Sequence, residues 1–218
     1  VIAFGGRILG DGKPKYLNTS DTPVFRKSNG LFAMNFAKNS AGGGLILAEG
    51  YMDVIALHQA GFTNAIATLG TALTVEQARL MARYTGEVFL SYDADEAGQK
   101  ATARAIPILR GVGLNVRVIR IVGGKDPDEY IKSLGEQGSV RFRQLLEASG
   151  NDVEYRLQKI RSQCDMKTPD GKIAYLSGAA DVLATLENRV EQEVYAGRLA
   201  EETGVDRSAI LLQADKKS

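Results

Sequence analysis

The stretch from Leu45 to Gly61 reads LILAEGYMDVIALHQAG, and it predicts how the centre of the chain folds. Its first four residues form an uninterrupted apolar run, as in a strand that is buried on both faces. Apolar residues recur at helical spacing over residues 51–60, and Gly61 is a typical residue to end a helix. Glu49 lies between the two elements. The stretch is therefore predicted to be a strand followed by a helix, with a carboxylate where the strand ends.

The same alternation of strand and helix continues along the chain to about residue 122. At this spacing it favours an α/β fold, with a mostly parallel sheet flanked by helices. Right-handed crossovers place the carboxyl ends of such strands at one edge of the sheet, where open α/β sheets bind their ligands. The further strands are predicted at residues 65–69, 88–92 and 115–122, and the further helices at residues 75–84 and 96–109.

Two segments of different character flank this core. Residues 1–40 hold six basic and two acidic side chains, and their short apolar runs at 1–4 and 31–34 are broken by Gly and Pro, which predicts short antiparallel strands and turns. Residues 136–218 show few strand signals and predict a small helical bundle. We therefore predict a basic β-rich segment at 1–40, an α/β domain at 41–135 and a C-terminal helical subdomain at 136–218.

Composition excludes several classes of protein. Of the 218 residues, 44% are hydrophobic and 24% are charged, which is ordinary for a globular protein, and no apolar run approaches the roughly 20 residues of a membrane span. Cys164 and His58 are single, so no disulfide forms within the chain, which fits a reducing cytoplasm. A zinc site takes about four ligands and is not expected in this chain. Any metal is expected to be a hard cation held by carboxylates.

Acidic residues are concentrated just after the predicted strands. An acid at a helix start is ordinarily a cap, but the third and fourth strands are each followed by an Asp-x-Asp pair, and a cap needs one acid. Clustered anions raise each other's pKa unless a cation neutralises them, and Mg²⁺ takes such oxygen ligands. Two such ions can clamp the oxygens of phosphoryl transfer. The acids are Glu49, Asp53, Asp93, Asp95, Asp126 and Asp128.

These acids occur in three ordered motifs, Glu49-Gly50-Tyr51-Met52-Asp53, Asp93-x-Asp95-x-Ala97-Gly98 and Lys125-Asp126-Pro127-Asp128. Together they resemble the Toprim module shared by bacterial primases, topoisomerases and some nucleases. Four further stretches resemble bacterial DnaG-type primases, and residues 136–218 resemble the helical end of the same polymerase domain. The four stretches are Phe4-Gly5-Gly6-Arg7, Pro14-Lys15-Tyr16-Leu17-Asn18, Phe25-x-Lys27 and Ala67-Thr68-Leu69-Gly70-Thr71.

The resemblance implies the catalytic core of a DNA-directed RNA polymerase, a nucleotidyltransferase that makes short RNA primers from NTPs on single-stranded DNA during replication. It implies two or more divalent ions, Mg²⁺ or Mn²⁺, held by the six acids, with Glu49, Asp93 and Asp95 closest to the chemistry. It also implies that Arg7, Lys15 and Lys27 bind nucleic acid or triphosphate. The partners implied are the DNA template, the RNA primer, NTPs and, through a domain absent from this chain, the replicative helicase, in the bacterial cytoplasm at the replication fork.

The chain departs from such primases in lacking the cysteines of their zinc ribbon, and it begins within a predicted strand, so we expect a catalytic fragment. Without a heptad repeat or a large apolar stripe, a monomer is expected. One alternative is a fragment of a Toprim nuclease or topoisomerase that cuts DNA with the same acids. The other is a nucleic-acid-binding module without catalysis, whose acids are only caps and bind no Mg²⁺.

Overall fold

A five-stranded sheet organises the first of two compact units into which the chain divides, residues 1–151 and 152–218. The structure is a computed structural model that describes residues 1–8, 13 and 16–217. The strands are β1 Gly5–Arg7, β2 Tyr16–Asn18, β3 Leu45–Ala48, β4 Ala65–Ala67, β5 Glu87–Ser91, β6 Asn115–Val118 and β7 Gly150–Asn151. The helices are α1 Met34–Ala37, α2 Tyr51–Gln59, α3 Val75–Ala82, α4 Glu96–Arg110, α5 Pro127–Ser133, α6 Gly138–Ala148, α7 Asp152–Arg161, α8 Pro169–Ala184, α9 Arg189–Thr203 and α10 Arg207–Asp215.

The sheet has the order β4-β3-β5-β6-β7, and its first four strands are parallel. All four residues of β3 are fully buried, which explains why this strand is apolar throughout rather than alternating. In the register, Ala48 at the end of β3 lies opposite Ala67 of β4 and Ser91 of β5. The residues that follow these strands therefore leave the sheet at one edge, and the predicted α/β fold is confirmed.

The N-terminal segment contributes a small antiparallel pair, β1 with β2, so antiparallel strands are present as predicted. The apolar run at 1–4 is not a strand, however, because β1 begins at Gly5. The apolar run at 31–34 is not a strand, which corrects the prediction for that run. Ala33 adopts a left-handed backbone with φ of 62°, and this turns the chain into α1, so that only Phe32 makes an isolated bridge, to Ala67. The sheet also gains β7, a two-residue antiparallel edge strand that the sequence did not predict.

Helix α6 packs within the first unit. Its Phe142 is fully buried, and its ring lies 5.0 Å from that of Phe62 in an edge-to-face contact. In the second unit, α7 to α10 enclose a separate core that includes Tyr175, Leu183 and Leu199. The three predicted segments, 1–40, 41–135 and 136–218, stay a prediction at the level of domains. None of the helices in the described part of the chain has the length and apolar character that a membrane span requires.

Candidate active site at the carboxyl edge of the sheet

Three loops at the carboxyl edge of the sheet are joined by direct contacts. The backbone N–H of Asp93, after β5, donates to Glu49 Oε1, after β3, over 3.2 Å. The backbone N–H of Ala94 donates to the carbonyl of Lys125, in the loop after β6, over 2.9 Å. Lys125 Nζ also lies 3.9 Å from Asp93 Oδ2. The sequence-predicted acids of three different strands are therefore brought to one place.

Capping accounts for part of this cluster. Asp95 accepts from the N–H of Gly98 over 2.9 Å at the start of α4, and Asp126 accepts from Glu129 over 2.8 Å at the start of α5. Asp53, inside α2, accepts from the N–H of Gly50 over 3.1 Å. These are the contacts that ordinary helix caps make. Asp128 lies in the first turn of α5 and pairs with Lys132 over 2.8 Å. Glu49 instead accepts from the loop after another strand, which a helix cap does not require.

The six acids act on one another electrostatically. Burial, and after it the negative charges of Asp126, Asp93 and Asp128, together raise the pKa of Asp53 to about 7, although its hydrogen bond from Gly50 opposes the shift. Burial also raises the pKa of Glu49, and Asp93 and Asp95 add to this effect while Lys125 opposes it. Because such effects fall off with distance, the acids after all three strands share one negative region. We call the six carboxylates the acidic rim.

The acidic rim suits a divalent cation in its chemistry. Among the residues that the structure describes, no three Asp, Glu, His or Cys side chains form a ready-made metal cluster. Mg²⁺ commonly takes only one or two carboxylates and completes its shell with water and substrate phosphates. Carboxylates that raise each other's pKa are the groups that a bound cation would relieve. The donor set therefore fits Mg²⁺ or Mn²⁺ without a closed protein cage.

Gly98 lets α4 approach the Asp93 loop closely. A Cβ at this position would lie 2.1 Å from the Asp93 carbonyl oxygen and 2.7 Å from its carbon. These are backbone atoms that cannot turn aside as a side chain does. The sequence motif Asp93-x-Asp95-x-Ala97-Gly98 thus has a steric basis in addition to its acids.

We expect Gly98→Ala to destabilise the protein by about 1–3 kcal/mol and to weaken Mg²⁺ binding, because the added methyl group must displace the Asp93 loop. Urea unfolding and calorimetric Mg²⁺ titration measure the two effects. Gly86→Ala is the matched control, since a Cβ there meets no atom within 4 Å. If Gly98→Ala matched Gly86→Ala in both measurements, the close approach would have no role in shaping the site.

The N-terminal segment is anchored beside the acidic rim. The hydroxyl of Tyr51 donates to Asn18 Oδ1 over 2.6 Å, and Asn18 Nδ2 donates to the carbonyl of Leu69 over 3.2 Å. Gly70 follows with a left-handed φ of 74°, and a Cβ there would lie 2.6 Å from Asn18 Nδ2. Asn18 and Tyr51 therefore connect β2, the start of α2 and the loop after β4. The sequence motifs contain both residues, but no local pattern indicates that they touch.

The predicted basic residues belong to this anchored segment. Arg7 ends β1, and its guanidinium lies 5.9 Å from the centre of the Tyr16 ring. Lys27 is half-buried, and its carbonyl accepts from Gln77 of α3 over 2.9 Å. Lys15 lies outside the described residues. The roles of Arg7, Lys15 and Lys27, like those of the six acids, stay predictions.

Comparison with known proteins gives three family matches along the chain. Residues 1–38 match the N-terminal domain of the DNA primase catalytic core, residues 46–131 match a Toprim-like family, and residues 153–208 match the DnaB-helicase binding domain of primase. The third match corrects one expectation, that the helicase-contacting domain is absent from this chain. Helices α7 to α10 contain no local sequence motif that distinguishes a helicase-binding domain from the helical end of a polymerase domain.

Individual relatives agree with these matches. The DNA primase of Clostridium acetobutylicum is 43% identical over 211 residues, which are 96% of this chain and 35% of that protein. This chain thus spans about a third of the length of the curated relative. The crystal structure of a DNA primase domain from Pseudomonas aeruginosa is 36% identical with a TM-score of 0.78, and the match covers 99% of this chain and 68% of that one.

A structure of the DnaG primase catalytic domain bound to ssDNA is 32% identical with a TM-score of 0.78, and the match covers 96% of this chain and 67% of that one. Both solved structures contain the α/β arrangement together with the helices that come after it, since they cover nearly all of this chain. With the sequence motifs, the carboxyl-edge geometry and the matched folds in agreement, the chain belongs to the family of bacterial DnaG-type DNA primases.

Proposed function

We propose that this chain is the catalytic core of a primase that makes short RNA primers on a single-stranded DNA template. The reaction is nucleotidyl transfer, in which the 3′-hydroxyl oxygen of one nucleotide bonds to the α-phosphorus of an NTP and pyrophosphate leaves. The observation that carries the proposal is the acidic rim, where carboxylates from three strands meet at one edge of a primase fold. Membership of the primase family does not favour the nuclease or topoisomerase alternative.

In this proposal the acidic rim holds two or more Mg²⁺ or Mn²⁺ ions, with Glu49, Asp93 and Asp95 nearest to the reacting atoms. When bound, such ions orient the attacking and leaving oxygens and offset the charge that develops on the phosphoryl group. Glu49 acts either as a ligand or as a general acid or base, and its hydrogen bond from the Asp93 N–H fixes its orientation. Asp53, Asp126 and Asp128 add negative charge on the α2 and α5 side of the rim.

Arg7, Lys15 and Lys27 are proposed to bind the phosphates of template or NTP. Basic side chains hold phosphate with little preference for base sequence, which suits an enzyme that copies many templates. The contacts of Asn18 with Tyr51 and Leu69 support this assignment, because they hold β2 beside the acidic rim.

We expect Arg7→Ala and Lys27→Ala each to weaken binding of single-stranded DNA and to reduce the slope of log K against log salt by about 0.7, the value for one lost phosphate contact. Fluorescence anisotropy with labelled DNA over a salt series measures the slope. Lys38→Ala is the control from the same basic segment. It lies near the opposite edge of the sheet, since Ser40, two residues later, forms a hydrogen bond with Thr63, ahead of β4, over 2.9 Å. An equal change in all three slopes would contradict a localised phosphate site.

The proposed function itself is tested by incubating the intact protein with single-stranded DNA, NTPs and Mg²⁺. New RNA supports primer synthesis, whereas shortened DNA supports the nuclease alternative. If neither product forms and calorimetry detects no Mg²⁺ binding, the result supports the alternative of a nucleic-acid-binding module without catalysis. The three outcomes are distinct, because the products differ in chemistry and in length.

We further propose that the protein acts in the bacterial cytoplasm at the replication fork and contacts the replicative helicase. The match of residues 153–208 to a helicase-binding family supports the second unit as the contacting part. A monomer stays the expected form.

A further inference from the structure

A cavity of about 580 Å³ opens beside the acidic rim within the first unit. One wall is the loop that follows β4, residues 68–73, and the opposite wall is the middle of α4. Glu49 and Tyr92 line the end of the cavity that adjoins the rim. Because Glu49 belongs to both, a molecule in the cavity reaches the same carboxylate that faces the proposed reaction.

The walls of the cavity combine apolar surface with a few polar groups. Ala101 and Ile108 of α4 face the cavity, and Leu73 lines it from the loop. Hydroxyl groups come from Thr68, Thr71 and Tyr92. Binding sites for small organic molecules usually have this composition and a volume of about 300–1,000 Å³.

The charge of the lining limits what the cavity accepts. Among the described residues that line it, Arg104 is the one cation and Glu49 the one carboxylate. A triphosphate, which carries several negative charges, would therefore meet too little positive charge here and is expected at the metal-binding rim instead. A base and ribose, by contrast, offer a flat apolar ring and hydroxyl groups that match the walls. Arg104 is exposed, and its planar guanidinium can stack on a base or bind one phosphate.

We propose that this cavity binds the base and ribose of a ribonucleotide whose reacting group lies at the acidic rim. The inference rests on the proposed function, since it deepens the nucleotide site of that reaction. Two sources supply this chemistry, the incoming NTP and the nucleotide that presents the 3′-hydroxyl. Apolar and planar contacts accept every base, so the cavity positions the nucleotide while the template selects it.

Ala101→Met tests the inference by filling the cavity from α4 without touching any acid of the rim. Ala103→Met is the matched control, because Ala103 is exposed on the same helix and does not line the cavity. Ala and Met are both good helix formers, so neither change should alter α4 itself. Arg104→Gln is a second test that adds no bulk, and thermal unfolding of each variant verifies that it is folded.

Binding is measured with two probes in Mg²⁺, a fluorescent ATP analogue and an RNA primer on DNA with a fluorescent 3′-terminal base. We expect Ala101→Met and Arg104→Gln to weaken the binding of one probe about 10-fold or more. Ala103→Met should change the binding of neither probe. Weakened ATP binding identifies the incoming nucleotide as the occupant, and weakened primer binding identifies the 3′ end. Should Ala101→Met fail to fold, Arg104→Gln decides.

Unchanged binding of both probes by the folded variants would overturn the inference, as would failure of the parent protein to bind either probe. Because the measurement is binding, it separates the inference from the proposed function. If the protein makes RNA but the cavity variants bind both probes as the parent does, only the inference is wrong. Nucleotide binding that depends on the cavity, in a protein that makes no RNA, defeats the polymerase proposal alone.

Discussion

Glu49→Gln is expected to reduce primer synthesis by about 10³-fold or more while the protein stays folded. The amide oxygen of Gln still accepts the Asp93 N–H that Glu49 Oε1 accepts over 3.2 Å, so the loop after β5 keeps its place. The substitution removes a negative charge from the rim, on which the proposed metal-ion chemistry depends. A loss of about 4 kcal/mol in stabilisation of the transition state corresponds to roughly this factor in rate.

Primer synthesis by purified variants on single-stranded DNA measures this effect, together with calorimetric Mg²⁺ titration. Glu96→Gln is the control, since Glu96 follows Asp95 directly but its side chain is 83% exposed and pairs with Lys100 over 2.5 Å. We expect that variant to stay within about 2-fold of the parent, as surface ion pairs contribute little. If Glu49→Gln kept nearly the activity of the parent, the carboxylate of Glu49 would have no role in the reaction.

Much of the fold could be predicted because local patterns and tertiary structure agree. The apolar run of β3 is buried on both faces, and the predicted helix at 75–84 is α3, which begins with a capping box of Thr74 and Gln77. The elements that escaped prediction depend on distant contacts. β7 has only two residues and exists because it pairs with β6, about thirty residues earlier in the chain. Ala33 adopts a backbone that residue type does not favour, so no pattern announces the turn into α1.

The sequence predicts which acids form the acidic rim, but it does not predict how deeply they are buried. Strand-end position identifies its six acids, since parallel strands deliver the residues after them to one edge of the sheet. The sequence did not show that Asp53 is buried to 8% exposure or that the charges of Asp126 and Asp128, at the start of α5, act on it. The cavity beside the rim was not predictable either, because Thr71 and Arg104 lie on different elements and neither carries a local signal.

Asp53→Asn is expected to stabilise the protein at pH 8 when no divalent cation is present. Asp53 is buried and has a pKa of about 7 in the folded state, against an ordinary value of 3.8. A carboxyl whose pKa is raised by folding favours the native state below pH 3.8, and this contribution is lost as the pH rises to about 7. Above pH 7 the native state carries a buried charge that the unfolded chain holds in water. Asn has no such charge, and it still accepts the Gly50 N–H.

The difference between the two pKa values corresponds to roughly 4 kcal/mol at most, so we expect a gain of about 1–3 kcal/mol at pH 8 in EDTA and almost none at pH 4. Urea unfolding at both pH values measures the gain. Glu76→Gln is the control, because Glu76 is exposed on α3 away from the rim, and it should change little at either pH.

Saturating Mg²⁺ should reverse the order of stability at pH 8. A cation that binds only the folded state stabilises the parent in proportion to its affinity, and the variant has lost one of the charges that attract it. A parent that is less stable than Asp53→Asn without Mg²⁺ and more stable with it would mean that the rim is strained until a cation neutralises it. An Asn variant that is less stable at pH 8 in EDTA would contradict this account, because the carboxylate would then be held by contacts stronger than its repulsion from Asp126, Asp93 and Asp128.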